Sequence, residues 1–131
     1  MNLKVKSSFK ITAWEPVTDE NDEIADIARA RIRKEFAGDM TGTSVANAIL
    51  YQTPVQSGGY SAIERITATI GDRVGTFVVQ HSGIRDAEGK GPFYGDIVPG
   101  SGTGDFEGVI GSMQIGQGES GEYFLLDLNL V

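Results

Sequence analysis

The chain has 131 residues, of which 11 are basic and 18 acidic, and its formal charge of −7 repels phosphate backbones and anionic headgroups, which argues against nucleic acid and membrane surfaces as partners. It has no cysteine, which excludes disulfides, thiolate metal sites and thiol nucleophiles. Apolar residues make up 40% and 18 glycines stand against 4 prolines, so the composition fits a core-bearing domain, spanning 1–131, with many tight turns. No stretch approaches the length of about 18 apolar residues that a spanning helix needs, and residues 1–10 lack a signal-type apolar segment. A soluble cytoplasmic protein without cofactor or metal is the expectation.

In chain order, Ser7–Trp14 fits the strand template, and Asp19–Glu23 reads as an acidic turn. The segment Asp22–Phe36 carries two periods at once. Ile24, Ala28, Ile32 and Phe36 recur every four residues, as in a helix, whereas Ala28, Ala30 and Ile32 alternate with Arg29, Arg31 and Arg33, as in a strand with one apolar and one basic face. Pattern alone leaves both open. Gly42–Tyr51 again fits a strand. Ser61–Ile70 and Val74–Ser82 are rich in β-branched and aromatic residues, and Gly71-Asp72 between them marks a hairpin. Pro92–Val98, Ser112–Gln117 and Glu122–Leu130 complete the set of strands, each bounded by glycine turns, and eight strands at such short spacing suggest a barrel or a sandwich. Between them, Gly100–Ile115 reads as a turn, one short helical turn near 103–110, and a strand. Phe106, Val109 and Ile110 would form the apolar face of that helical turn, closing one end of a barrel as a plug.

A two-residue turn at Gly71-Asp72 fixes register, pairing Ile66 with Phe77, Glu64 with Val79 and Ala62 with His81. Glu64 and His81 then lie diagonally across the same apolar face, where a carboxylate must be paired, hydrogen-bonded or protonated. The pair is the candidate catalytic site: Glu64 as general base or polar anchor, His81 as its acid or orienting partner. A buried hydrogen-bonded pair that merely fixes register is the structural alternative. Trp14, Tyr51, Tyr94 and Tyr123 are candidates for a cavity mouth, and Ile66, Phe77 and Val79 for its lining. Asp127 alternates with Leu126 and Leu128, so it is either a second inward carboxylate or, the favoured reading, solvent-facing. Other motifs fail. Gly83–Lys90 has the wrong spacing for a phosphate loop, Asp19, Asn21 and Glu23 lack the glycine and closing glutamate of a calcium loop, and no G-x-S-x-G elbow accompanies His81.

Two stretches together resemble known families. The strand pair Glu64–Gly83, with Trp14, the Gly38-Asp39 turn and the Val98-Pro99-Gly100 turn in matching places, resembles a bacterial family of small proteins that form a domain of unknown function. The glycine motif Gly100–Gly111 is similar to that of plant allene oxide cyclases and, more loosely, dirigent proteins. This resemblance implies an all-β fold, an eight-stranded antiparallel barrel in which Ile27–Phe36 is a strand. It also implies a homo-oligomer, dimer or trimer, whose interior can hold a small apolar molecule. The function expected is binding of a small apolar or amphipathic molecule inside the barrel by Trp14, Tyr51, Ile66, Phe77 and Val79, with Glu64 and His81 as polar anchors and cofactor-free cyclase or isomerase chemistry as its active form. A filled barrel acting as a non-catalytic oligomeric module is the competing expectation.

Overall fold

Alternation of buried and exposed side chains runs through the strands of the computed structural model, which describes residues 1–18 and 23–130. The acidic turn expected at Asp19–Glu23 therefore lies, apart from Glu23, outside the described residues. The elements are β1 (Asn2–Pro16), β2 (Ala28–Gly38), β3 (Thr41–Gln52), β4 (Gly58–Ile70), β5 (Arg73–Arg85), β6 (Phe93–Ile97), β7 (Thr103–Gly104), β8 (Ile110–Gly118) and β9 (Gly121–Asn129).

Every pairing is antiparallel, in the order β4-β3-β2-β1-β9-β8-β6-β5, and the β4–β5 hairpin closes the ring. The two-residue β7 pairs with Gly75 and Thr76 on the edge of β5 that β6 occupies further along, so eight positions make the circumference. Closure leaves no long free edge in the closed part of the sheet. The ambiguous segment is a strand. In β2, Ala30, Ile32, Lys34 and Phe36 face inward while Arg29, Arg31 and Arg33 face outward, so alternation prevails over helix propensity once two neighbouring strands supply hydrogen bonds.

The helical turn expected near 103–110 does not form. Residues 105–109 make successive tight turns instead, with Phe106 N–H donating to Thr103 and Val109 N–H to Phe106. Gly104 and Gly108 hold left-handed φ values of +60° and +83°, which no α-helix accommodates. The plug is nonetheless real for two of its three residues. Phe106 and Val109 are fully buried, Phe106 edge-on to Phe77 at 5.3 Å, whereas Ile110 belongs to β8 and is 49% exposed on the outer face. Around this plugged end the core is continuous, from Val5, Phe36 and Met40 through Ile66, Phe77, Val79 and Ile97 to Met113, Leu126 and Leu128.

Candidate functional site

Above the plugged half, the interior changes character. Inward positions on β2, β3 and β4 carry Ala30, Ala46, Ala48 and Ala62 with Ile32, and Leu50 and Tyr60 lie against them. Between these small residues and the apolar core sits a layer of polar side chains from four strands: Lys34 on β2, Ser44 on β3, Glu64 on β4 and His81 on β5, each under a tenth exposed.

Glu64 is fully enclosed and is the hub. Lys34 Nζ donates to both carboxylate oxygens at 3.1 Å, Ser44 Oγ donates to Oε2 at 2.5 Å, and His81 Nε2 donates to Oε1 at 2.8 Å. Because the carboxylate only accepts, Nε2 carries a proton, and in the neutral imidazole Nδ1 then accepts from the Tyr60 hydroxyl at 2.7 Å. Burial pushes the Glu64 carboxyl up, but the His81 hydrogen bond, the Lys34 charge and the Ser44 hydrogen bond outweigh it and hold the group below the ordinary glutamate value. Burial also pushes the Tyr60 phenol far above the usual tyrosine range, with the charges of Glu64 and Glu122 adding to the effect and Arg85 opposing it.

Aromatic rings frame the polar layer. The Lys34 ammonium lies 5.5 Å from the Phe9 ring and 5.6 Å from Phe124, a cation–π setting that replaces part of its lost hydration. His81 meets Tyr60 edge-on at 5.4 Å and Phe93 in a stack at 6.2 Å. Gly83, the register partner of Tyr60, makes room for this: a Cβ there would stand 3.2 Å from the Tyr60 ring.

The β1 strand decides what the open end presents. Asn2–Ser8 pair with β9, but residues 9–16 pair with β2 alone, which leaves the wall open on that side. A register shift between Ile11 and Ala13 inserts Thr12 as an extra residue. Without it, Trp14 would share the outer face with Lys10. With it, Trp14 pairs with the buried Ile32 and so lies on the interior face, where it is 50% exposed at the rim.

Glu64 and His81 are thus brought together with the register expected from the turn. Trp14 reaches the open rim. Ile66, Phe77 and Val79 are interior but fully buried in the plugged half, where they fill the core and line no opening. Tyr51 stands on the outer face, opposite Gly59 and one residue out of phase with the inward Leu50, because strand alternation carries it away from the lumen. Tyr94 and Tyr123 are also on the outer face, the latter under the Lys6 ammonium at 4.4 Å, and Asp127 pairs outside with Lys4 at 3.2 Å. Lys34, Ser44 and Tyr60 were not anticipated. Lys34 had a signal in the alternation Ala30, Ile32, Phe36, which places a lysine on the apolar face.

Two surface clefts lie apart from this layer's hub. One of about 360 Å³ is ringed by Asp72, Arg73, Asp105 and Glu107 at the plugged end, and one of about 270 Å³ runs along β5 and β6 beside Gln80, His81, Tyr94 and Asp96, so it reaches one member of the polar layer. Neither is lined by Glu64. Among the described residues no group of three His, Asp or Glu side chains is placed to hold a metal ion, and no helix is long and apolar enough to cross a membrane.

Residues 5–130 match the family model described as a protein of unknown function, DUF3224, and the chain belongs to that family. It is similar over 100% of its length to 97% of the crystallised chain of a DUF3224 protein of unknown function from Shewanella oneidensis MR-1, with 25% identity and a TM-score of 0.81. No curated protein matches the chain.

Proposed function

We propose that this member of the DUF3224 family binds a small amphipathic molecule at the open end of its barrel, with the apolar body against Trp14, Ile11 and Leu50 and the polar end toward Tyr60. The observation that carries this reading is the single bulge that turns the chain's one tryptophan onto the interior face and leaves it half-exposed at the rim. Exposing that much apolar surface at the rim forgoes burial worth about 25 cal/mol per Å², and bulges recur where a side chain is re-aimed beside a site.

The polar end of the site supports cofactor-free isomerase or cyclase chemistry of the kind the allene oxide cyclase resemblance implies. Tyr60 stands on the mouth side of His81, so a proton exchanged with a bound molecule reaches the imidazole through the phenol oxygen. Glu64 then acts as a positioning residue that holds the imidazole and opposes its charge, with Lys34 and Ser44 fixing the carboxylate.

Native mass spectrometry of the protein purified from its own host tests the reading. A retained molecule that quenches Trp14 emission, and that is missing from Trp14→Ala, supports it. A protein that carries nothing, and whose Trp14 emission no apolar probe alters, overturns it. The filled-module reading has one observation in its favour: no buried side-chain nitrogen or oxygen among the described residues lacks a hydrogen-bond partner. It predicts that Trp14→Ala and Tyr60→Phe shift the melting temperature alone.

A further inference from the structure

We infer that the open end selects uncharged apolar molecules that carry a hydroxyl, such as phenols, enols and apolar alcohols, over isosteres that only accept hydrogen bonds. This rests on the reading of the open end as a binding site and adds the chemical class of its ligand.

The selection follows from the direction of donation along a chain of three groups. Its starting point is Glu64, whose oxygens accept from Lys34, Ser44 and His81 and have nothing to donate. In its neutral form His81 spends its one proton at Nε2 on that carboxylate, and Nδ1 is then an acceptor. Tyr60 in turn spends its only proton on Nδ1 at 2.7 Å. The phenol oxygen therefore presents lone pairs, and it has no further hydrogen-bond partner among the described residues. A ligand group that meets it must be a donor. A carbonyl or ether oxygen brought there would face the Tyr60 lone pairs with no proton between them and would lose its hydration without compensation.

Charge narrows the class further. Glu64 and Glu122 both act on Tyr60 against the single opposing charge of Arg85, so an anionic ligand meets net repulsion there, and the cation Lys34 already has both Glu64 oxygens as partners. The walls contributed by Ala48, Ala62 and Leu50, and the rim at Trp14 and Ile11, are apolar, so a charged ligand body brought against them loses hydration without a partner there.

Calorimetric titration with β-naphthol and with its methyl ether tests the inference. The two share shape and apolar area and differ in the one proton. The wild-type protein is expected to bind the naphthol about tenfold more tightly, the size of one well-made hydrogen bond that would otherwise leave a lone pair dry. In Tyr60→Phe the ratio is expected to fall close to one, with the ether affinity kept. Equal binding of both molecules to the wild type overturns the donor rule while leaving the binding site standing, and an unchanged preference in Tyr60→Phe overturns the role of Tyr60. Binding of neither molecule overturns the open-end site and the donor rule together.

Discussion

Lys34 and Glu64 join across an intervening strand: the lysine on β2 reaches over Ser44 of β3 to hold both oxygens of the glutamate on β4 at 3.1 Å. Both side chains are under a tenth exposed, so each depends on the other for its charge. Removing one partner strands a charge in a medium that cannot solvate it. Lys34→Met and Glu64→Leu are each expected to cost about 3–5 kcal/mol, whereas the double variant recovers the part of that loss due to the stranded charge, the Ser44 hydroxyl and the His81 Nε2–H being left without their acceptor as in Glu64→Leu alone. Urea denaturation of the four proteins measures this. Additive single losses would mean that the two groups do not act as a pair.

The same pair sets the acid limit of the fold. Glu64 is held below the ordinary glutamate value, so the unfolded chain takes up its proton first as pH falls. Its contribution is fully present above the unfolded value of about 4.3 and is lost progressively as pH drops toward and through the lower folded value. The wild-type protein is therefore expected to lose stability below about pH 5, and the Lys34→Met/Glu64→Leu double variant to show a flatter acid limb. Melting temperatures across that range decide it. Matching acid limbs would assign the loss to surface carboxylates such as Asp127, which is also held low, by Asn2 and Lys4.

Tyr60 governs the opposite limb. Its phenol is raised by burial and by Glu64 and Glu122, so the folded protein keeps a proton that the unfolded chain releases from about pH 10 upward. Stability from this group is complete below that point and falls as pH climbs. One tyrosine is expected to ionise only as the barrel opens in base, and that step disappears in Tyr60→Phe. Ultraviolet absorbance titration reads both. The variant also leaves His81 Nδ1 without its donor at 2.7 Å, a loss of about 1–3 kcal/mol at neutral pH.

How much of this was legible in the residues depended on what fixed register. The Gly71-Asp72 turn allows only two loop residues, so the placement of Glu64 beside His81 followed from counting, and the structure keeps that count from Ile70–Arg73 to Gly58–Arg85. Tyr60 falls outside the strand read from Ser61, because β4 begins three residues earlier, at Gly58, where two glycines carry no strand signal. Lys34 was obscured by the competing four-residue period of Ile24, Ala28, Ile32 and Phe36, which only neighbouring strands resolve. The inward turn of Trp14 depends on one extra residue, and nothing local in the Ile11-Thr12-Ala13 run announces it. The expected helical turn failed for a backbone reason, since Gly104 and Gly108 take the left-handed region that their neighbours' helix-compatible spacing did not reveal.

The two ends of the barrel should separate by mutation, because the side chains that stabilise one do not touch the other. Phe106 is fully buried in the plug against Phe77 at 5.3 Å, and Phe106→Ala is expected to cost about 3–5 kcal/mol through lost transfer energy and the cavity left behind. Trp14 is half-exposed, so Trp14→Ala should cost less than about 1 kcal/mol. Binding of β-naphthol is expected to follow the reverse order, surviving in Phe106→Ala at a temperature where that variant is still folded and failing in Trp14→Ala. The polar layer of Lys34, Ser44, Glu64 and His81 lies between the two ends, and its hydrogen bonds tie β2, β3, β4 and β5 together there. Urea denaturation paired with calorimetry compares the two quantities on the same samples. A loss of naphthol binding in folded Phe106→Ala would show that packing at the plugged end reaches through the layer to the rim, and the two functions of the barrel would then be one.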